Sequence, residues 1–331
     1  MSATTRLEVR EGPDINLYDQ ILIPLHETDV VDSVVQYSLS LAKAYDAALH
    51  VLFIQDEDRT ELESEQVTNQ AEWDAAAVIE PVVDQAHSFG LNVIPAVDSG
   101  RPPSVIQQYA EENDIDLLVH QKSEQSGLAR VLRRDVSSHI IQNVPLPVLT
   151  IPDKDTSDPI GGSFTSQFTD ILVPTDGYDE ASVAFKHGLQ IAKRHNATLH
   201  GLLVIDEQSY VSRPGFTWGE VTDAWEQRGN RLLDDIAEKA ATLDVPVRTT
   251  LSYGRPQQEI LEYTEVNTID LVAMGTRGLT GIHRLLQESV SDRVIEKADC
   301  PVLTINRPTA ELKKHPYTFL RKSNQKRKSI N

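Results

Sequence analysis

Short runs of apolar, often β-branched residues alternate with longer stretches of helical periodicity along most of the chain. Strands that are almost continuously apolar, separated by helices, are typical of a parallel sheet that is covered on both faces. In the later half the pattern predicts strands at 171–174, 198–205, 247–252, 270–274 and 301–305. It predicts helices between them at 180–195, about 222–242, 256–265 and about 289–297, and a matching early helix at 33–45.

The same order of segments occurs twice. Ile-Leu-Ile-Pro at 21–24 returns as Ile-Leu-Val-Pro at 171–174, and Pro-Val-Leu-Thr-Ile occupies both 147–151 and 301–305. The offset is 171 − 21 = 150 early in the repeat and 301 − 147 = 154 late in it, so the second copy carries four extra residues in its middle. A repeat of this length is a duplicated domain rather than a solenoid unit.

This duplication predicts the organisation of all 331 residues. Each copy is expected to be a five-stranded, doubly wound, Rossmann-like α/β domain with a parallel sheet. We place these domains at 18–152 and 168–306. A polar leader at 1–17, a linker rich in Gly, Ser, Thr and Asp at 153–167 and a basic tail at 307–331 complete the chain.

The net charge of −19 is unevenly distributed, because the tail carries eight Lys and Arg residues against one Glu. The rest of the chain is acidic and poor in lysine, which would repel nucleic acid and is compatible with a halophilic source. No apolar run is long enough for a membrane span and no secretory signal is evident, so we expect a cytoplasmic protein without membrane insertion.

Doubly wound sheets bind ligands beyond the carboxyl ends of their strands, where the winding direction reverses. In the second copy the loop after strand four carries Gly275 and Gly278, and a helix is predicted to start near Ser289. Glycines permit positive φ and close backbone approach, and a helix start offers N–H donors to an anion. Two plainer interpretations remain open: a tight turn uses the same glycines, and Ser289 with Asp292 forms a helix cap.

Together these features resemble the universal stress protein family, in tandem. The resemblance rests on Pro-Thr-Asp at the end of strand one, on Gly275-x-x-Gly278 followed by nine residues and then Glu288-Ser289, and on the closing Pro-Val-Leu-Thr-Ile. It covers nearly all of both copies. It implies an adenine nucleotide alpha hydrolase-like fold. It assigns Asp176 and Val204 to a nucleoside and Gly275, Gly278 and Ser289 to phosphates. The full candidate site is Pro174, Asp176, Val204, Gly275, Arg277, Gly278, Ser289 and Val290.

The second copy departs from the family pattern at one position, where Glu288 replaces a glycine. A carboxylate there would repel ATP unless Mg2+ bridged the two. The first copy has lost the pattern, because the 154 offset places Gln121, Glu124, Arg134 and Asp135 opposite Gly275, Gly278, Glu288 and Ser289, and the 150 offset places His26 opposite Asp176.

Two functions therefore remain in view. The first is a cytoplasmic regulatory protein of the stress response that binds ATP in its second domain; the alternative is a nucleotide-free interaction module that regulates a transporter or another complex. No residue is identified as a general base, so we expect binding rather than catalysis, with weak ATP hydrolysis left open. The resemblance also implies a pseudo-dimer through the strands Pro147 to Ile151 and Pro301 to Ile305, with a further homodimer as an option.

Overall fold

A computed structural model describes residues 16–25, 32–55, 67–122, 144, 146–152, 168–177, 179–206, 218–276 and 289–305. In the first copy the strands are β1 Gln20–Leu25, β2 Ala48–Gln55, β3 Val93–Ser99, β4 Leu117–Gln121 and β5 Val148–Ile151, and the helices are α1 Asp32–Tyr45, α2 Val67–Ser88 and α3 Pro102–Glu112. In the second copy they are β6 Asp170–Thr175, β7 Thr198–Ile205, β8 Val247–Tyr253, β9 Leu271–Gly275 and β10 Val302–Ile305, with α4 Asp179–His195, α5 Trp218–Thr242, α6 Pro256–Val266 and α7 Val290–Lys297.

All ten strands form one sheet, in the order β3-β2-β1-β4-β5-β10-β9-β6-β7-β8. Within each copy the neighbouring strands run parallel, and the two copies meet where β5 and β10 pair antiparallel. The winding direction reverses between β1 and β4 and again between β6 and β9. The predicted doubly wound α/β fold class is confirmed, and the ends of β6 and β9 are where a ligand would bind.

The central strands are buried on both faces, as their apolar sequences predict. Ile21, Leu22 and Ile23 in β1 and their counterparts in β6 have essentially no exposed surface. Helices cover both faces and enclose two apolar clusters, each of which contains residues from both copies. Asn16 and Leu17, which the sequence analysis assigns to the leader, already contact this fold: the amide of Asn16 donates to Tyr45 O, and Leu17 packs on the core.

The contacts between the copies have an approximate two-fold symmetry. Leu149 of β5 lies opposite Leu303 of β10, its own counterpart, since 303 − 149 = 154. On one face of the sheet the Tyr45 hydroxyl lies 3.5 Å from Nε2 of His195, again its own counterpart, since 195 − 45 = 150. A contact between equivalent residues marks the axis of an isologous interface.

Aromatic rings around this axis follow the same symmetry. The rings of Tyr18 and Tyr45 lie 5.1 Å apart in the first copy, and the rings of Phe168 and His195 lie 5.0 Å apart at the equivalent positions of the second. Across the junction, the Tyr18 hydroxyl lies 3.2 Å from Nδ1 of His187. These side-chain contacts therefore form a second junction between the two copies, beside the paired strands.

Gly-Arg-Pro occurs in both copies at the exit of the third strand. Gly100 and Gly254 adopt φ of +135° and +149°. Pro102 and Pro256 are the first residues of α3 and α6, where a missing N–H is harmless. The repeated motif is therefore a strand exit followed by a helix start. No helix among the described residues is long and apolar enough to cross a membrane.

Candidate functional site

The candidate site lies where β6 and β9 end side by side. These strands pair in parallel through Ile171 with Leu271, so their carboxyl ends reach the same edge of the sheet. Asp176 directly follows β6, and Gly275 is the last residue of β9. The topology therefore brings together the two segments that the sequence analysis selected.

The turn after β6 is built around Gly177. Its φ is +80°, and its N–H donates to Oγ1 of Thr175 at 3.3 Å. A Cβ at this position would lie 3.2 Å from Cδ2 of Leu232 in α5. Gly177 is absent from the predicted site although the Asp-Gly pair is a recognised turn signal. The turn leaves Asp176 exposed at the mouth of the crevice.

Gly275 has a different role from the one expected from its residue type. It belongs to β9 and pairs with Ile305 of β10, so its backbone is extended. The glycines with positive φ in the described ranges are Gly90, Gly100, Gly177 and Gly254. Positive φ, one of the two properties that the sequence analysis gives for these glycines, therefore does not apply to Gly275. What its missing side chain provides is close access to the backbone at the end of β9.

The start of α7 is a complete capping box. Oγ of Ser289 accepts the N–H of Asp292 at 3.1 Å, and Oδ2 of Asp292 accepts the N–H of Ser289 at 3.3 Å. The capping interpretation of this pair is thus confirmed. Each partner satisfies a helix-end donor that would otherwise lack an acceptor.

Ser291 ties this helix start to the end of β9. Its side chain is buried, and its Oγ donates to the carbonyl of Thr276 at 3.4 Å. The Ser289 hydroxyl lies 2.8 Å from the same Oγ, within hydrogen-bonding distance, and either hydroxyl can be the donor of this bond. The sequence analysis missed Ser291; its only signal is the alternation of serines at 289 and 291.

The hydrogen bonds at this helix start decide which groups can meet an anion. The hydroxyl of Ser289 is bonded to both Asp292 and Ser291, and the first intrahelical bond runs from the N–H of Arg293 to Ser289 O at 3.2 Å. The N–H groups of Val290 and Ser291 belong to the first turn, which has no intrahelical acceptor for them. They are the donors that the positive end of the helix dipole would direct at a phosphate.

The predicted nucleoside residues lie on neighbouring strands. Val204 is half-buried near the end of β7, in register with Ser252 of β8. Pro174 is buried inside β6, where it lies opposite Leu202 of β7. Val204 is therefore partly accessible near the end of β7, whereas Pro174 is enclosed within the sheet.

Several predicted residues lie outside the described residues: Arg277, Gly278 and Glu288 in the second copy, and His26, Glu124, Arg134 and Asp135 in the first. Gln121 is described, and it ends β4 as Gly275 ends β9. The side chain of Gln121 thus stands where the second copy has none.

Buried polar groups at the opposite edge of the sheet are matched in both copies. His50 lies 3.0 Å from the Tyr109 hydroxyl, and His200 lies 3.1 Å from the Tyr263 hydroxyl. Asp270 accepts both the N–H and the hydroxyl of Thr169, and its burial raises the pKa of this carboxyl. Because the histidine–tyrosine contact occurs in both copies, it supports the fold rather than a ligand.

No group of three or more His, Cys, Asp or Glu side chains within the described ranges is arranged to hold a metal ion. The described part of the crevice offers backbone N–H groups and one exposed carboxylate. This combination suits a ligand that carries both anionic oxygens and hydroxyl groups.

Comparison with known proteins gives consistent results for both copies. The model of the universal stress protein family matches residues 17–152 and 167–306. A universal stress protein of Methanocaldococcus jannaschii is 36% identical over 142 residues, which is 43% of this chain and 84% of that protein. A universal stress protein of Bacillus subtilis is 28% identical over 147 residues, which is 42% of this chain and 99% of that protein.

A solved structure extends the likeness to the tandem arrangement. The crystal structure of a universal stress protein from Archaeoglobus fulgidus matches 89% of this chain and 100% of its own, with a TM-score of 0.68. At 20% sequence identity this likeness concerns the fold alone.

Proposed function

This chain belongs to the universal stress protein family as two copies in tandem, and on that premise we propose that its second copy binds ATP, or a related adenine nucleotide, in a regulatory role in the stress response. The single observation that carries the proposal is the meeting of β6, β9 and α7 at one edge of the sheet. There an exposed carboxylate, a glycine strand end and a helix start converge.

The phosphates would be held by main-chain groups. The N–H groups of Val290 and Ser291 and the positive end of the α7 dipole are suited to anionic oxygens. Gly275 lets the phosphates approach the end of β9 without meeting a side chain. Mg2+ would enter with the phosphates, because this ion keeps several waters and usually binds through substrate phosphates and one or two carboxylates.

The nucleoside would lie between the ends of β6 and β7. Asp176 is exposed beside the crevice and can accept hydrogen bonds from ribose hydroxyl groups. The half-buried Val204 supplies an apolar surface for a base at the adjoining strand end. Because β6 and β7 are paired in parallel, their ends lie side by side. Asp176 could then contact the ribose while Val204 contacts the base of the same nucleoside.

The first copy would serve as a partner domain instead of a second nucleotide site. Gln121 replaces the bare strand end of Gly275. The pairing of β5 with β10 and the contact of Tyr45 with His195 support a pseudo-dimer within one chain. In this arrangement one domain binds the nucleotide and the other completes the interface.

One observation favours the second candidate function, a nucleotide-free interaction module. The Ser289 hydroxyl, which the family resemblance assigns to phosphates, is already bonded to Asp292 and Ser291. A ligand would have to rely on the main chain or displace these bonds. If a ligand does neither, this strand end no longer binds a nucleotide, and the protein acts by binding other proteins.

Isothermal titration with ATP and MgCl2 tests the proposal on the full chain. Wild-type protein should bind one nucleotide, and Glu288→Gly should bind more tightly because a carboxylate is removed from the phosphates. Arg134→Gly is the matched control, since 134 + 154 = 288, and it should leave binding unchanged. No heat of binding with either wild type or Glu288→Gly would overturn the proposal and favour the interaction module.

A further inference from the structure

A lysine of the first copy reaches the helix that borders the proposed phosphate site in the second copy. Lys122 follows β4, and its backbone N–H donates to Ile151 O at 2.9 Å. Its side chain crosses the junction, and Nζ donates to the carbonyl of Glu296 in the last turn of α7. Both Lys122 and Glu296 are half-buried, so this contact lies within the interface.

The acceptor is one of the carbonyls at the end of a helix that have no acceptor role within the helix itself. The last intrahelical bond at this end runs from the N–H of Ala298 to Val294 O at 2.8 Å, and the carbonyl of Glu296 lies beyond it. The last four carbonyls of a helix carry the negative end of its dipole. An ammonium group at this point satisfies an acceptor and opposes that partial charge.

The equivalent residue of the second copy behaves differently. Thr276 corresponds to Lys122, since 276 − 122 = 154, and both N–H groups make the same bond to the last strand of their own copy. The hydroxyl of Thr276 lies 3.4 Å from Ile305 O in the second copy itself. Where the second copy has threonine, the first copy thus has a long cationic side chain, and this side chain faces the other copy.

The helix α7 is short, and both of its ends are tied to other elements. Its start is tied to β9 through Ser291 and Thr276, and its end is tied to the first copy through Lys122. The N–H groups of Val290 and Ser291 can hold an anion only if the helix keeps its position against β9. The contact at one end of an eight-residue helix therefore bears on the site at the other end.

We infer that Lys122 is a positioning residue through which the first copy, itself without the family's phosphate pattern, orders α7 and strengthens anion binding at the second copy. The effect on binding rests on the proposed nucleotide function. The ordering of α7 by Lys122 does not depend on any ligand. The first copy then contributes to the site without touching the nucleotide.

Hydrogen exchange of the full chain tests the ordering. Lys122→Met keeps the length of the side chain and removes its charge, and it should speed exchange of the amides at 290–298 by about threefold or more. Lys43→Met is the matched control, because Lys43 Nζ also donates to a carbonyl beyond a helix end, that of Phe89, but within the first copy. It should leave α7 unchanged, and Lys122→Arg should restore protection.

Titration of the same variants with ATP and MgCl2 tests the effect on the site. Lys122→Met should weaken binding on the order of threefold to tenfold relative to wild type, and Lys122→Arg should recover most of it. Unchanged exchange in α7 would overturn the inference at its first step. Faster exchange with unchanged ATP affinity would overturn the inferred link between the ordering of α7 and anion binding. A wild-type protein that binds no ATP would refute the proposed function, and exchange would still decide whether Lys122 orders the helix.

Discussion

Acid should destabilise this protein through one buried imidazole at the junction of the two copies. His187 of α4 is 6% exposed and lies 3.2 Å from the Tyr18 hydroxyl of the first copy. Burial lowers the pKa of His187 from 6.5 to about 4. The unfolded chain therefore takes up a proton in a pH range where the folded chain does not.

The sign and size of the effect follow from these two pKa values. The folded pKa is the lower one, so the stability contributed by neutral His187 is fully present above pH 6.5 and is lost as pH falls towards 4. pH 5 lies about 1.5 pH units below the pKa of the unfolded imidazole and still above that of the folded one, so over this interval mainly the unfolded chain binds the proton. At about 1.4 kcal/mol per unit, the free energy of unfolding should fall by about 2 kcal/mol.

Urea unfolding at pH 8 and pH 5, followed by circular dichroism, measures this loss. His187→Phe removes the titrating group, so its pH dependence should be smaller than that of wild type by about 2 kcal/mol. The exposed His87 provides the control, because His87→Phe should keep the wild-type pH dependence. If His187→Phe and wild type lose stability equally between the two pH values, the argument from burial is refuted.

Three further substitutions test packing, capping and the junction. Gly188→Ala would place a Cβ 2.6 Å from Cγ2 of Val173, so we expect a loss of about 1–3 kcal/mol in urea unfolding; unchanged stability would contradict the close packing of α4 on β6. Ser289→Ala removes the α7 cap and should cost about 1 kcal/mol of local stability by hydrogen exchange; unchanged exchange in α7 would contradict the role of the cap. Leu303→Asp buries a carboxylate opposite Leu149 and should separate the copies, which small-angle scattering would detect as an increased radius of gyration; an unchanged radius would contradict the role of this pair.

Local sequence signals predicted most of the secondary structure correctly. The helix predicted at 256–265 is observed at Pro256–Val266, and the strand predicted at 198–205 is observed with the same bounds. Proline after Gly-Arg and serine before Asp292 both marked helix starts that the structure confirms. Such signals work because a helix start or a strand run is decided by neighbouring residues in the chain.

The candidate site was only partly predictable. Asp176 and Ser289 lie at the predicted strand end and helix start, but Gly275 proved to be an extended strand residue and Ser291 was missed. The hydroxyl of Ser289 was expected to face phosphate, and the structure shows it bonded to Asp292 and Ser291. Competition among hydrogen-bond partners depends on which groups meet in space, and residue spacing does not reveal it.

By itself the sequence determined the duplication, the alternation of strands and helices, and the copy in which the phosphate pattern survives, because each of these is recorded in local residue order. The tertiary structure alone decided that Tyr45 meets His195 and that Lys122 reaches Glu296. Those partners are 150 and 174 residues apart in the chain. They meet because β5 and β10 pair antiparallel and join the strands of the two copies into one sheet, an arrangement specified by packing across the whole junction.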